Sequence, residues 1–245
     1  MKFQRMFDIK RNQIQMIIDR GYKIDSEEKK ILEMDLDTFI EYINKKFNEL
    51  NKPNIKPMLY FQTKFSILSN FNYVKRLNNN KEHMIVYYTG KEVSDKSKSS
   101  HDQTQVSVAV VREITDIIKD KQRDNANDII KVIIITNAPL SQVANEDLRR
   151  LNIKYQIFFD YELTYNPTLY IDVPKHELIP PEESEEVLKE LKVDISKLPI
   201  IKTSDPIVKY YGWQEGDIIR IHRNDDYIGI LCPKSINYRV VVNLK

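Results

Sequence analysis

Apolar residues in the N-terminal part of the chain recur every three or four positions, the period that places them on one side of an α-helix. The first stripe ends at Gly21, a residue that favours the left-handed end of a helix. The second starts after Asp25-Ser26, with acidic Glu27 and Glu28 in its first turn, and stops before Pro53. We expect two helices, with these buried faces: Phe3, Met6, Phe7, Ile14, Ile17 and Ile18 on the first, and Leu32, Leu36, Phe39, Ile40, Ile43, Phe47 and Leu50 on the second.

Shorter apolar runs in the middle of the chain predict strands. Met58–Ser66 and Met84–Tyr88 have strand patterns, and the polar Gly90–Ser100 segment reads as a loop. Helical spacing returns from about Asp102 to Lys121. The run KVIIIT, Lys131–Thr136, is continuous and rich in β-branched residues, which is typical of a buried central strand.

A helix-start signal directly follows KVIIIT. Pro139 and Ser141 are residues that begin helices, so strand, tight turn and helix predict an α/β unit. Tyr155–Leu163 and Thr168–Val173 are expected to be extended. The buried face of the new helix is predicted to consist of Leu140, Val143, Ala144, Leu148 and Leu151.

The composition changes at Val173–Pro181, where three prolines in nine residues predict an extended connector. We therefore expect two domains, 1–172 with an α/β fold and 173–245 with a small α+β fold. The second domain begins with a helix at Glu182–Leu191, which turns Val187, Leu188 and Leu191 inward. Asp194–Lys197 follows as a turn.

The stretch LPIIKTSDPIVKYYGWQEGDIIRI contains many residues that favour turns and helix ends. Asp205-Pro206 is a strong helix start and Gly212 a natural helix end, so Pro206–Tyr211 is predicted to be a short capped helix. Gln214–Asp217 reads as a tight turn. The strands Asp217–His222 and Ile236–Val242 complete the pattern.

Composition and charge narrow the class of protein. The chain is 41% hydrophobic and 30% charged, as in soluble globular proteins, and it lacks an apolar run of membrane-spanning length or a signal-peptide core. Its single cysteine, Cys232, excludes an internal disulfide and a cysteine-rich zinc site. An intracellular protein is expected. A net charge of +2 predicts that any nucleic-acid contact is small or made within a larger assembly.

Residues for catalysis or metal binding do not cluster in the sequence. Four histidines are scattered without metal-ligand spacing: His83, His101, His176 and His222. Cys232 has no base nearby, and five glycines leave little material for a phosphate loop. A metal-dependent nuclease would need carboxylates on neighbouring strands, but KVIIIT has none, and the Glu-x-Lys at Glu190-Leu191-Lys192 is helical. Asn137–Ser141 is either a phosphate-binding helix start or a plain capped connector.

Four segments of the C-terminal part form a recognisable set: HELIP (176–180), LPIIKTSDPIVKYYG (198–212), GDIIRIHR (216–223) and YRVVV (238–242). They resemble the C-terminal domain of RNA polymerase subunit 5 of eukaryotes and its shorter archaeal counterpart. The matching positions are His176, Leu178, Ile179, Pro180, Leu198, Pro199, Ile201, Asp205, Pro206, Ile207, Tyr210, Tyr211, Gly212, Gly216, Arg223, Tyr238 and Arg239.

The N-terminal part is similar to the family more loosely, at Asp19–Tyr22 and at Ile129–Leu148, the strand, proline loop and helix of its "jaw" domain. Two departures stand out: the family's second His is absent near Glu182, and NDDYIGILCPKSIN (224–237) replaces a shorter segment. This divergence favours a large DNA virus as the source, with a divergent eukaryote as the alternative.

The resemblance implies a non-catalytic subunit of a DNA-dependent RNA polymerase. It needs no cofactor, metal, membrane or small-molecule substrate. The C-terminal domain would dock on the largest subunit through a module containing His176, Pro180, Pro199, Asp205, Pro206, Tyr210, Gly212, Arg223, Tyr238 and Arg239. The jaw would lie beside downstream double-stranded DNA, with the closest loop formed by Asn137, Ala138, Pro139, Leu140, Ser141 and Gln142.

The same reading implies a location in the nucleus for a cellular subunit, or in a virion or cytoplasmic viral factory for a viral one. Two other functions stay open: a metal-dependent nuclease built on the first domain, and a free-standing adaptor that kept only the polymerase-docking surface.

Overall fold

A computed structural model divides the chain into two compact units, Met1–Tyr165 and Asn166–Lys245, called here the N-terminal and C-terminal units. The predicted strand at Met58–Ser66, the Gly90–Ser100 loop, His101 and Cys232 all fall outside the residues that the structure describes. Within those residues, every helix is too short or too polar to traverse a lipid bilayer. The described ranges are 2–49, 68–77, 80–89, 105–106, 108–124, 128–223 and 235–243.

Helix α1 (Lys2–Asp19) opens the N-terminal unit and confirms the first predicted helix. Gly21 has a φ of +82° and lies just past its end. The Gly21 N–H donates to the Ile18 carbonyl (2.8 Å) and the Tyr22 N–H donates to that of Ile17 (3.1 Å). Glycine therefore supplies the left-handed turn that satisfies the last carbonyls of the helix.

The second predicted helix is in fact two helices, α2 (Ser26–Glu33) and α3 (Leu36–Glu49). Between them Met34 is extended (φ −69°, ψ 147°). The Asp35 carboxylate accepts the N–H of Thr38 at 2.8 Å and so starts a new helix. The prediction of one continuous helix was wrong because an aspartate within an apolar stripe prefers to cap rather than continue a helix.

Four strands form the sheet of the N-terminal unit, in the order β1-β2-β3-β4. β1 is antiparallel to β2, whereas β2, β3 and β4 are parallel. The sequence did not predict β1, whose polar residues break any alternation. KVIIIT lies in the central strand and is buried, as predicted. The strands are β1 (Asn70–Leu77), β2 (Asn80–Tyr88), β3 (Ile129–Thr136) and β4 (Lys154–Phe159).

Helices α4 (Val108–Asp124) and α5 (Gln142–Arg150) pack against this sheet. Val143 was predicted to face the core but is 56% exposed, because the buried side of α5 is narrower than the apolar pattern. The extended run predicted at Tyr155–Leu163 ends at Phe159 and continues as a 3₁₀ turn. The core between the sheet and the helices α4 and α5 includes Ile85, Val111, Ile114, Ile118, Val132, Ile134, Ala144 and Leu148.

The C-terminal unit begins with a second 3₁₀ turn at Pro167–Leu169, where an extended segment was predicted. The side chain of Asn166 accepts the N–H of Thr168 at 2.9 Å and curls the chain there. The proline-rich segment is extended, as predicted, but it is more than a connector: its residues Lys175–Leu178 form the edge strand β5.

The remaining strands are β6 (Ile200–Lys202), β7 (Ile218–Arg223) and β8 (Ser235–Val242), in the sheet order β5-β7-β8-β6. Within this sheet β6 and β8 are parallel, whereas β5–β7 and β7–β8 are antiparallel pairs. Helix α6 (Pro181–Leu191) packs against one set of sheet residues and α7 (Pro206–Tyr211) against another.

Leu191 was predicted to turn inward but is 40% exposed at the end of α6. Both units thus combine helices with a sheet, in agreement with the predicted two-part α/β protein. The division into a jaw at 1–172 and an assembly domain at 173–245 stays a prediction.

Candidate functional site

Helix α7 has both predicted caps. The Asp205 carboxylate accepts the N–H of Ile207 at 2.9 Å, and Pro206 occupies the first turn, where its missing N–H costs nothing. At the other end Gly212 has a φ of +74°, and its N–H donates to the carbonyl of Val208 at 2.9 Å. Six residues are too few for a stable isolated helix, so these caps define where α7 forms.

A tight turn then anchors the chain to the sheet. The Asp217 carboxylate accepts the N–H of Gln214 at 2.7 Å, and Gly216 has a φ of +91°. The Gly216 N–H donates to the carbonyl of Val241 on β8 (2.9 Å), and the Val241 N–H donates to that of Asp217 (2.9 Å). The segment from α7 through the turn to β7 is therefore hydrogen bonded into one unit with the sheet.

Sheet register brings three of the predicted docking residues onto one face. His176 pairs with Ile221, and Arg239 pairs with Ile219. Arg223 follows Ile221 by two positions, so strand alternation gives it the same face. Ile219 and Ile221 are buried in the cluster beneath α7. His176, Arg223 and Arg239 therefore lie on the face of the sheet that α7 covers.

His176 is held in one tautomer. Its Nδ1 lies 2.6 Å from the carbonyl oxygen of Pro174, which can only accept, so Nδ1 carries the proton. Burial lowers the pKa of His176, the Pro174 carbonyl and Asp205 oppose this, and the positive charges of Arg239 and Arg223 lower it further. The ring is accordingly neutral near pH 7, which leaves Nε2 as a hydrogen-bond acceptor.

A cavity of about 180 Å³ lies beside His176. Of the residues that line it, His176 belongs to the predicted docking module, and Ile207 and Tyr211 match the family pattern. The sequence analysis assigned no functional role to the other four, and the cluster of prolines was the signal that could have found them. Buried Asn166 shapes this region, because its amide donates to the Tyr210 hydroxyl (3.1 Å) while its oxygen accepts from Thr168. The lining consists of Thr168, Val173, Pro174, Lys175, His176, Ile207 and Tyr211.

Other predicted docking residues lie elsewhere in the unit. Pro180 precedes α6, and Tyr238 packs against the α6 cluster. The Pro199 carbonyl accepts the N–H of Val240 at 3.0 Å. Tyr210 is only 2% exposed, so it stabilises the module from within. The structure does not gather the whole predicted set into one site.

Glu177 forms a separate charged cluster on β5. It is hydrogen bonded to Lys175, and its Oε2 lies 2.7 Å from Nε2 of His222 on β7. These two partners, Lys175 first, lower the pKa of Glu177 to about 2. Across the described parts of both units, no group of three or more His, Cys, Asp and Glu side chains has an arrangement that could hold a metal ion.

In the N-terminal unit, the loop after β3 is tightly bonded. The Thr136 hydroxyl donates to the carbonyl of Ala138 (2.6 Å) and accepts the Ala138 N–H (3.1 Å). The N–H of Ser141 donates to the carbonyl of Val106 (3.1 Å), and that of Val106 donates to the carbonyl of Pro139 (2.9 Å). These bonds give the loop one conformation.

This loop exposes only part of the residues predicted to lie near DNA. Ala138 and Leu140 are buried and anchor it, whereas Asn137, Pro139 and Gln142 are exposed. The Ser141 hydroxyl caps α5 by accepting the N–H of Ala144 at 3.2 Å, which confirms the predicted helix start.

Comparison with known proteins identifies the family. A family model described as RNA polymerase Rpb5, C-terminal domain, matches residues 165–241. Subunit rpabc1 of DNA-directed RNA polymerases I, II and III from Dictyostelium discoideum is 33% identical over 141 residues, which cover 58% of this chain and 68% of that protein. The chain belongs to the RNA polymerase subunit 5 family.

Two further relatives differ in how much of this chain they match. Subunit RPABC1 from Caenorhabditis briggsae is 26% identical over 240 residues, 97% of this chain and 96% of that protein. Subunit Rpo5 from Methanocaldococcus jannaschii is 43% identical over 75 residues, 31% of this chain and 91% of that protein. These relatives come from cellular organisms, and the viral source stays a prediction.

Proposed function

We propose that this chain is a non-catalytic subunit of a DNA-directed RNA polymerase. Its C-terminal unit docks on the largest subunit, and its N-terminal unit is a jaw beside downstream DNA. The similarity to the archaeal subunit carries this proposal, because an alignment of 75 residues covers 91% of that protein but only 31% of this chain. The archaeal protein is a polymerase subunit although it is little longer than the aligned 75 residues. This supports a docking role for the part of this chain that corresponds to it.

Exposed apolar side chains support docking by the C-terminal unit. Three consecutive residues are largely exposed: Leu169 (79%), Tyr170 (54%) and Ile171 (66%). Ile200 and Ile236 add exposed surface of the same kind on strands β6 and β8. Contiguous exposed apolar residues in a folded protein are typical of surfaces that another chain covers.

The loop after β3 supports the jaw role. Its fixed backbone ends at the start of α5, where the N–H groups of Gln142 and Val143 have no acceptor within the described part of the chain. Such N–H groups favour phosphate oxygens. Contacts of this kind position DNA without reading its sequence, which agrees with a net charge of only +2.

The docking role is tested by purifying the tagged chain from its native source. We expect the two large polymerase subunits to co-purify in stoichiometric amounts. Recovery of the chain without them would refute the proposal and favour a free-standing adaptor or another function.

The jaw role is tested by two substitutions at Ser141. Ser141→Asp and Ser141→Asn both retain a good helix cap, but only the first adds a negative charge. We expect Ser141→Asp to weaken retention of downstream DNA by the assembled polymerase and to leave assembly intact. Equal retention by the two variants over a salt series would remove the loop from the DNA contact.

The nuclease alternative gains no support from the geometry. The described parts of β2, β3 and β4 place no metal-binding group of carboxylates together, and Glu190-Leu191-Lys192 lies at the end of α6. Magnesium-dependent DNA cleavage by the purified chain, abolished by a single acidic-to-alanine substitution, would revive it.

A further inference from the structure

Two arginines beside α7 have no counter-ion within the described part of the chain. The guanidinium groups of Arg223 and Arg239 form no hydrogen bond or ion pair with any residue that the structure describes. By contrast, Arg220 lies 3.9 Å from Glu183, and its guanidinium is 5.8 Å from the centroid of the Tyr238 ring. The alternation of β7 directs Arg220 to the opposite face.

The two arginines lie on the same face of the sheet as His176, which lines the cavity. Neighbouring strands lie about 5 Å apart and two residues advance about 7 Å, so His176, Arg223 and Arg239 have backbones within roughly 15 Å of one another. The charged groups that act on the pKa of His176 are Asp205 and the two arginines, and Oδ1 of Asp205 already accepts the Ile207 N–H at the start of α7. The surroundings of His176 thus contain one carboxylate, already hydrogen bonded, and two guanidinium groups.

We propose that Arg223 and Arg239 bind a carboxylate side chain of a partner polymerase subunit, whose apolar stem enters the cavity beside His176. This inference rests on the proposed docking function. Guanidinium groups bind carboxylates in a bidentate, strongly directional way. The cavity, at about 180 Å³, is below the size range of small-molecule sites and suits one side chain. Val173, Pro174 and Ile207 provide apolar walls for the stem.

Charge favours a protein carboxylate over nucleic-acid phosphate. Residues 166–245 contain 11 lysines and arginines against 13 aspartates and glutamates, a net charge of −2. Surfaces that track a nucleic-acid backbone carry a basic excess instead. A local pair of arginines in an acidic unit fits a single anionic side chain.

The first experiment locates the carboxylate by cross-linking. Arg223→Lys and Arg239→Lys keep the charge and introduce a primary amine, which a carbodiimide couples to a carboxylate in contact with it. We expect polymerase purified with either variant to give a link to an Asp or Glu of a partner subunit. Arg112→Lys, at an exposed position on α4, is the matched control and should give none. Links confined to Asp205, Asp225 or Asp226 of the same chain would overturn the proposal.

The second experiment measures affinity. Arg223→Gln and Arg239→Gln should each weaken retention in the polymerase by roughly thirtyfold or more, seen as release at lower salt, because each leaves a desolvated carboxylate without its partner. Arg112→Gln should behave as the unmodified chain. If the two variants instead lose nucleic acid while the subunits stay together, the ligand is a phosphate and the proposal is wrong.

The outcomes separate this inference from the proposed function. If the unmodified chain fails to co-purify with the large subunits, both fall. If it co-purifies and the Arg→Gln variants withstand the same salt concentration, the docking function stands and the carboxylate site is refuted.

Discussion

Removing one partner of the buried ion pair between Lys10 and Glu28 should strongly destabilise the N-terminal unit. The Lys10 ammonium donates to Glu28 Oε1 (2.6 Å), to the side-chain oxygen of Gln13 (2.9 Å) and to the Leu68 carbonyl (3.0 Å), which uses all three of its protons. The Tyr73 hydroxyl also donates to Glu28 Oε1 at 2.6 Å. Lys10 is 2% exposed and Glu28 6%. This network joins α1, α2 and β1.

Lys10→Met preserves the shape of the apolar stem and removes the charge. The Glu28 carboxylate would then be buried without a counter-ion, a change that costs about 3–5 kcal/mol. That is a large part of the roughly 5–15 kcal/mol that stabilises a typical domain. Burial already lowers the pKa of Lys10, with Glu28 opposing the shift, so the pair is held against a desolvation cost.

Urea unfolding followed by circular dichroism measures this loss. Adding Glu28→Gln to Lys10→Met should recover at least about 1 kcal/mol, because it removes the uncompensated charge. Lys46→Met is the control, because it breaks an ion pair on the surface: Lys46 lies 2.8 Å from Glu27, and the two side chains are 35% and 51% exposed. We expect this loss to cost less than about 1 kcal/mol of the free energy of unfolding. If Lys10→Met is no more destabilising than Lys46→Met, the reasoning about the buried pair is wrong.

Three further predictions concern the C-terminal unit. Asp205→Ala should destabilise it by about 1 kcal/mol through loss of the α7 cap, whereas Asp205→Asn should retain stability in the same urea assay. Gly212→Ala should cost about 1 kcal/mol because the residue has a φ of +74°; an unchanged midpoint would contradict this. Lys175 and His222 lower the pKa of Glu177 to about 2, so its stabilising contribution is present above about pH 4.5 and is lost as the pH falls toward 2. NMR of the Glu177 carboxyl group over a pH series should show a titration midpoint near 2, and His222→Gln should raise that midpoint. A midpoint near the usual value for glutamate in the unmodified chain would contradict this prediction.

Local signals in the sequence predicted the elements that local chemistry controls. Asp205-Pro206 and Gly212 specify both ends of α7, and Ser141 specifies the start of α5, because capping groups bond to backbone atoms only a few residues away. The uninterrupted β-branched run of KVIIIT likewise identified the central strand. These features need no knowledge of distant partners.

Non-local pairing explains most of what the sequence left out. β1 carries mixed polar residues and is a strand because β2 pairs with it. The proline-rich segment is an edge strand because β7 supplies its hydrogen bonds. The helix break at Asp35 was missed for another reason. The apolar residues keep a helical spacing across it, so the pattern predicted one helix although Asp35 can cap a new one.

The candidate site shows the same division. The sequence by itself determined where the short helix α7 begins and ends, because its capping bonds are local. Only the tertiary structure decided that His176, Arg223 and Arg239 share a face while Tyr238 packs against the α6 cluster, since strand register sets which side chains become neighbours. The buried pair of Lys10 and Glu28 arose in the same way, from helix packing across 18 positions of sequence.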